Sequence, residues 1–191
     1  MRLRVAAIVA MLATAAACAP ADTGRLTAPS LTLTPCTGDT PRTFTPFVLE
    51  GLLFRWAQAG NTGQIEIRDT WEAATLNNSV VVQMNDLASV RKQFADDPTL
   101  PLAIEGTLIR VSLDMVQTCP DATQDVEAES GTLQFTSLET GTDGRIVGTA
   151  KFDLIDRRAR AAGKPATVAK DATLTFDFSV RRGRPWEDFM Q

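Results

Sequence analysis

Alternation of apolar and polar positions runs through most of the chain. In residues 131–138, Leu133 and Phe135 fall on one side and Thr132, Gln134 and Thr136 on the other. Leu174, Phe176, Phe178 and Val180 alternate in the same way with Thr173, Thr175, Asp177, Ser179 and Arg181. A period of two belongs to a strand with one buried and one wet face. Gly141-Thr142-Asp143-Gly144 reads as a hairpin turn, because its Asp-Gly step suits positive φ, and residues 145–155 read as the returning strand. Upstream, Ile65 and Ile67 alternate with Glu66 and Arg68 after the turn cluster at 59–63. Val80, Val81 and Val82 mark a further strand after Asn77-Asn78. Residues 47–54 are apolar on nearly both faces, which predicts a central strand.

Two stretches break the period. Leu87, Val90 and Phe94 recur at helical spacing after Asp86, a capping residue, and Asp97-Pro98 ends the run. In residues 102–116 the apolar parity changes, from Leu102 and Ile104 to Ile109, Val111, Leu113 and Met115. A one-residue slip would turn every side chain to the wrong face, so a bulge or corner is expected at Gly106. The sum is about eight strands and one short helix, joined mostly by short turns. That pattern predicts an all-β fold, an antiparallel β-sandwich or a small β-barrel.

The first residues follow a different logic. Arg2 and Arg4 precede an apolar run at 5–12 and a string of alanines, the layout of a secretory signal peptide. The run is too short to span a bilayer, which needs about 20 apolar residues. The signal would be residues 1–17, followed by a Thr/Pro-rich tether at 18–46 and a single β domain at 47–191. In the tether, Pro20, Pro29, Pro35, Pro41 and Pro46 exclude a helix, although Leu31 and Leu33 alternate with Thr32 and Thr34 as in a short edge strand.

Ala15-Ala16-Ala17-Cys18 resembles the cleavage and lipidation site of bacterial lipoproteins, with Ala15 where leucine is usual. The resemblance implies a lipid on Cys18, hence a membrane partner. It also implies a cell-envelope location, with outer-membrane sorting because Ala19 is not aspartate. Three cysteines are present. Lipidation of Cys18 leaves Cys36 and Cys119 as an even pair for a disulfide in an oxidising compartment.

Composition narrows function mainly by exclusion. The chain has no histidine, which removes Ser-His-Asp and Cys-His catalysis and histidine-ligated zinc. The net charge is -4, and loss of Arg2 and Arg4 brings it to -4 - 2 = -6, unsuited to nucleic acid. Tyrosine is absent too, which argues against the aromatic girdles of a membrane barrel.

Few residues carry candidate chemistry. Ser89 and Lys92 match an S-x-x-K spacing on the predicted helix, but the companion elements of that chemistry are missing. Asp121, Asp125, Glu127 and Glu129 form an acidic loop, of the oxygen-rich kind that can bind calcium. Arg157, Arg158, Arg160 and Lys164 lie in a basic connection that suits an anionic partner such as a phosphate or acidic glycan. Glu50 sits between Val48 and Leu52 on one face, a setting able to raise a carboxyl pKa for glycan hydrolysis. Trp186 and Phe189 in the C-terminal tail either pack back on the body or dock a partner. No catalytic set, metal site or cofactor emerges. The expected function is therefore a non-enzymatic envelope module for a protein or glycan partner. The alternatives are a barrel carrier of an apolar ligand and a carboxylate-dependent glycan hydrolase.

Overall fold

The computed structural model of the chain describes residues 21–33, 40–69, 78–115 and 124–180. In chain order the elements are β1 (Thr23–Ala28), β2 (Leu31–Leu33), β3 (Arg42–Phe44), β4 (Phe47–Glu50), β5 (Leu53–Ala59), β6 (Thr62–Arg68) and β7 (Ser79–Met84). After these come α1 (Leu87–Asp96), β8 (Leu102–Ile104), β9 (Ile109–Met115), β10 (Gln124–Leu138), β11 (Arg145–Asp156), α2 (Arg157–Ala161) and β12 (Thr167–Ser179).

Nine strands form one antiparallel sheet in the order β4-β1-β12-β11-β10-β9-β7-β6-β5, and β8 adds to β10. The sheet curls into a half-barrel, and β2 pairs with β3 in a small second sheet. The all-β, antiparallel expectation holds in outline, but the parts are more numerous. Twelve strands and two helices occur among the described residues, against about eight and one.

Alternation decides which face is inside. Leu133 and Phe135 from β10, Ala150 and Phe152 from β11, and Leu174, Phe176 and Phe178 from β12 are all buried. They join Leu26, Ile65, Ile67, Val80, Val82 and Leu113 in one continuous apolar cluster on the concave face. The helix α1 lies against this cluster. Leu87 and Val90 are buried, and the Phe94 ring meets Phe135 edge-on at 6.4 Å.

Asp86 caps α1 as its position suggests, accepting hydrogen bonds from Ser89 N (3.0 Å) and Ser89 Oγ (2.7 Å). The Ser89 hydroxyl, the Ser89 amide and the Asn61 amide together hold the Asp86 carboxyl below its ordinary value of 3.8. A depressed folded-state pKa means that the cap stabilises above the unfolded-state pKa and fades as pH falls through the lower, folded value. A carbon-detected NMR titration is expected to find the Asp86 midpoint below 3.8, and Ser89→Ala is expected to return it toward that value. A wild-type midpoint at or above it would refute the cap.

The parity change near Gly106 is a corner. Strand β8 pairs with β10 at residues 131–133, whereas β9 pairs with β10 at 124–127 and with β7. Gly106 turns the chain between them at φ 77, a conformation open to glycine without steric cost. The hairpin at 141–144 also forms, but its positive φ falls on Asp143, at 62°. Gly144 serves a different need, since a Cβ there would stand 2.3 Å from the Glu139 carbonyl oxygen.

Three expectations are corrected. Part of the tether is strand: β1 lies inside the sheet between β12 and β4, with Leu26 wholly buried. Gly24, Leu26 and Ala28 alternate with Thr23, Arg25 and Thr27, and proline beside a strand does not prevent pairing. The predicted central strand at 47–54 is instead two strands, β4 and β5, at opposite ends of the sheet order. They are split at Gly51, where a Cβ would stand 2.5 Å from Ile67 and 3.0 Å from the Gly24 carbonyl. There Gly51 N donates to Gly24 O and Leu52 N donates to Arg68 O, each at 2.7 Å, which draws the two ends of the curl together. Third, the acidic loop becomes strand from Gln124 onward.

Candidate functional site

The charged residues singled out in the sequence are largely engaged with one another. Glu127 and Glu129 project from β10 beside α2, whose first residues are Arg157 and Arg158. Glu127 bridges Arg110 and Arg157, at 3.1 Å to each, and Arg160 pairs with Glu129. Arg158 stands 3.9 Å from Asp156, the buried N-cap of α2, which accepts from the amides of Arg158 and Ala159. The acidic segment and the basic connection thus neutralise each other across the sheet. Lys164 remains exposed beyond α2. Asp121 lies outside the described residues, and among those described no cluster of three metal-ligating side chains occurs.

Other candidates are also committed. Ser89 serves the helix cap, and Lys92 pairs with Asp96 at 2.5 Å on the next turn of α1. Glu50 is exposed and pairs with Arg25 at 2.8 Å, so its carboxylate is not enclosed by apolar neighbours. Cys18, Cys36, Cys119, Trp186 and Phe189 lie outside the described residues.

A polar depression opens instead on the convex face, across β10, β11 and β12. It encloses about 340 Å³ and is lined by Ser130, Gly131, Lys151, Asp153, Asp171 and Thr173, with Phe152 at its base. Its shape comes from irregular pairing. The β10–β11 register shifts between Ala128 and Ser130, and the β11–β12 register shifts between Phe152 and Leu154. Asp171 adopts φ 53 at this point, and its amide donates to Asp153 Oδ1 at 2.9 Å. Aspartate tolerates that left-handed conformation better than most residues. Gly131 keeps the pairing close, because a Cβ there would stand 2.3 Å from the Lys151 carbonyl and 2.6 Å from Phe152 Cβ.

The depression offers cationic and hydroxyl donors from Lys151, Ser130 and Thr173, and carboxylate acceptors from Asp153 and Asp171. Donors and acceptors in alternation on a sheet suit a ligand rich in hydroxyl groups.

The sequence reading passed over these residues, although a signal for them existed. Val168 and Ala169 are adjacent apolar residues, followed by Ala172 and Leu174. The pair at 168–169 and the three-residue step from Ala169 to Ala172 break the period of two, and the break marks the irregular β11–β12 pairing. Comparison with known proteins adds no relative: no family model, curated protein or solved structure matches the chain.

Proposed function

We propose that the chain is a lipid-anchored, non-enzymatic module of the bacterial cell envelope that holds a hydroxyl-rich glycan in its convex depression. The anchor rests on the Ala15-Ala16-Ala17-Cys18 sequence, with outer-membrane placement following from Ala19. The observation that carries the binding role is the polar hollow at 130–131, 151–153 and 171–173, set by two register shifts. Backbone held in a sparsely populated conformation, as at Asp171, concentrates at functional sites. The hydrolase alternative loses its best carboxylate, because Glu50 is exposed and paired. The carrier alternative has little support from a concave face occupied by buried side chains.

The test is NMR titration of the mature, detergent-solubilised protein with envelope oligosaccharides. Shifts are expected at Ser130, Lys151, Asp153, Asp171 and Thr173. Lys151→Ala should weaken binding about tenfold or more, as expected for loss of a charged hydrogen bond. Shifts confined to other surfaces, or an unaltered affinity in the variant, would defeat the proposal.

A further inference from the structure

We infer that the body presents one defined end to the lipid bilayer, the end formed by Asp22, the 141–144 turn and Leu52. This rests on the proposed lipid at Cys18. The physical basis is the shortness of the arm. Because β1 begins at Thr23, only four steps separate Cys18 from Asp22. Four residues reach at most about 14 Å when fully extended. Asp22 is itself fixed to the fold. Its Oδ1 accepts from Ser179 N at 2.9 Å and lies 4.0 Å from Arg145 Nη1, and the same arginine approaches Asp177 within 2.5 Å through Nε. The chain therefore enters the sheet at a set point, no more than about 14 Å along the chain from the proposed lipid.

The neighbours of that point define the apposed surface. Val180 N donates to Gly144 O and Asp143 N donates to Val180 O, which places the 141–144 turn beside the end of β12. Gly51 bonds to Gly24 on the other side, and the next residue, Leu52, is an exposed large apolar side chain at 48%. An exposed leucine beside an acyl anchor suits the interfacial layer. The turn carries Asp143, with Glu139 just before it, so contact at this end rests on the apolar Leu52 and the short arm.

The glycan depression lies midway along the same strands. Asp171 is eight residues before Ser179 on β12, which is about 26 Å at strand spacing. The proposed site thus stands clear of the bilayer surface and opens to the side of the body.

The experiment uses the full mature lipoprotein in nanodiscs of phosphatidylethanolamine and phosphatidylglycerol, with a gadolinium chelate on a fraction of the headgroups. Intact mass of the mature chain is measured on the same sample. Amide signals of Leu52 and Thr142 are expected to be lost relative to a lutetium control, while that of Asp171 persists. A long Gly/Ser insertion after Pro20 should restore the lost signals. An acylated Cys18 with bleaching at Asp171, or bleaching spread evenly over the body, overturns the orientation and leaves the anchor standing. Unchanged bleaching in the insertion variant overturns the short-arm explanation. A mature chain without acyl groups removes both the anchor and the orientation.

Discussion

Phe135→Ala is expected to lower the free energy of unfolding by about 3–5 kcal/mol, the range for truncating a fully buried aromatic ring. Phe135 is 1% exposed. Its ring meets Phe94 of α1 edge-on at 6.4 Å and Phe176 of β12 at 6.1 Å. It therefore joins the helix to the middle of the sheet, and its loss opens a cavity between elements whose backbones are fixed by ladder pairing. Strand pairing prevents the walls from collapsing, which places the cost toward the upper part of that range. Urea unfolding should show a lower midpoint with an unchanged slope. A midpoint close to wild type would mean that α1 does not rest on this ring.

Leu26→Ala should cost about 2–5 kcal/mol by the same reasoning. This substitution tests a different statement, because Leu26 lies in the segment that the prolines mark as a tether. It is fully buried and pairs across to Leu174 on one side and Leu49 on the other. A tether residue would tolerate alanine without measurable change. A loss of several kcal/mol instead assigns β1 to the cooperative fold. The same urea experiment decides it, and a change below about 0.5 kcal/mol, the usual range for surface substitutions, would return the segment to the tether.

How much of this was legible depended on the range of the interaction that decides each element. The strands around Leu133, Leu174 and Ile65 are set by an alternation that any short window reveals. The Asp86 cap and the Leu87-Val90-Phe94 stripe of α1 are equally local. The Gly106 corner was readable because a parity slip has only a few physical repairs. The charge network was not readable, since Glu127 and Arg157 are thirty residues apart and meet only because β10 and β11 fold back on each other. Read separately, one segment suggested a cation site and the other an anion site. Each is the other's counter-charge. The depression depended on two register shifts in neighbouring strands, and register between strands is a property of the pairing. Only the adjacent Val168 and Ala169 hinted at it. The ends of the sheet were misread for a related reason: apolar residues on both faces of 47–54 suggested a central strand, whereas Gly51 divides that run and sends its halves to opposite edges.

The placement of β1 between β12 and β4 has a mechanical meaning. Tension on the N-terminus pulls Thr23 along the axis of its own strand, away from the body. The rungs to β12, from Thr23 to Thr27, and those to β4, from Arg25 to Ala28, then lie across the direction of pull and are loaded together. Failure requires the strand to slide past both neighbours at once, so the load never falls on one rung at a time. A force that holds the N-terminus and pulls on the body is therefore resisted in shear, with both ladders sharing the load.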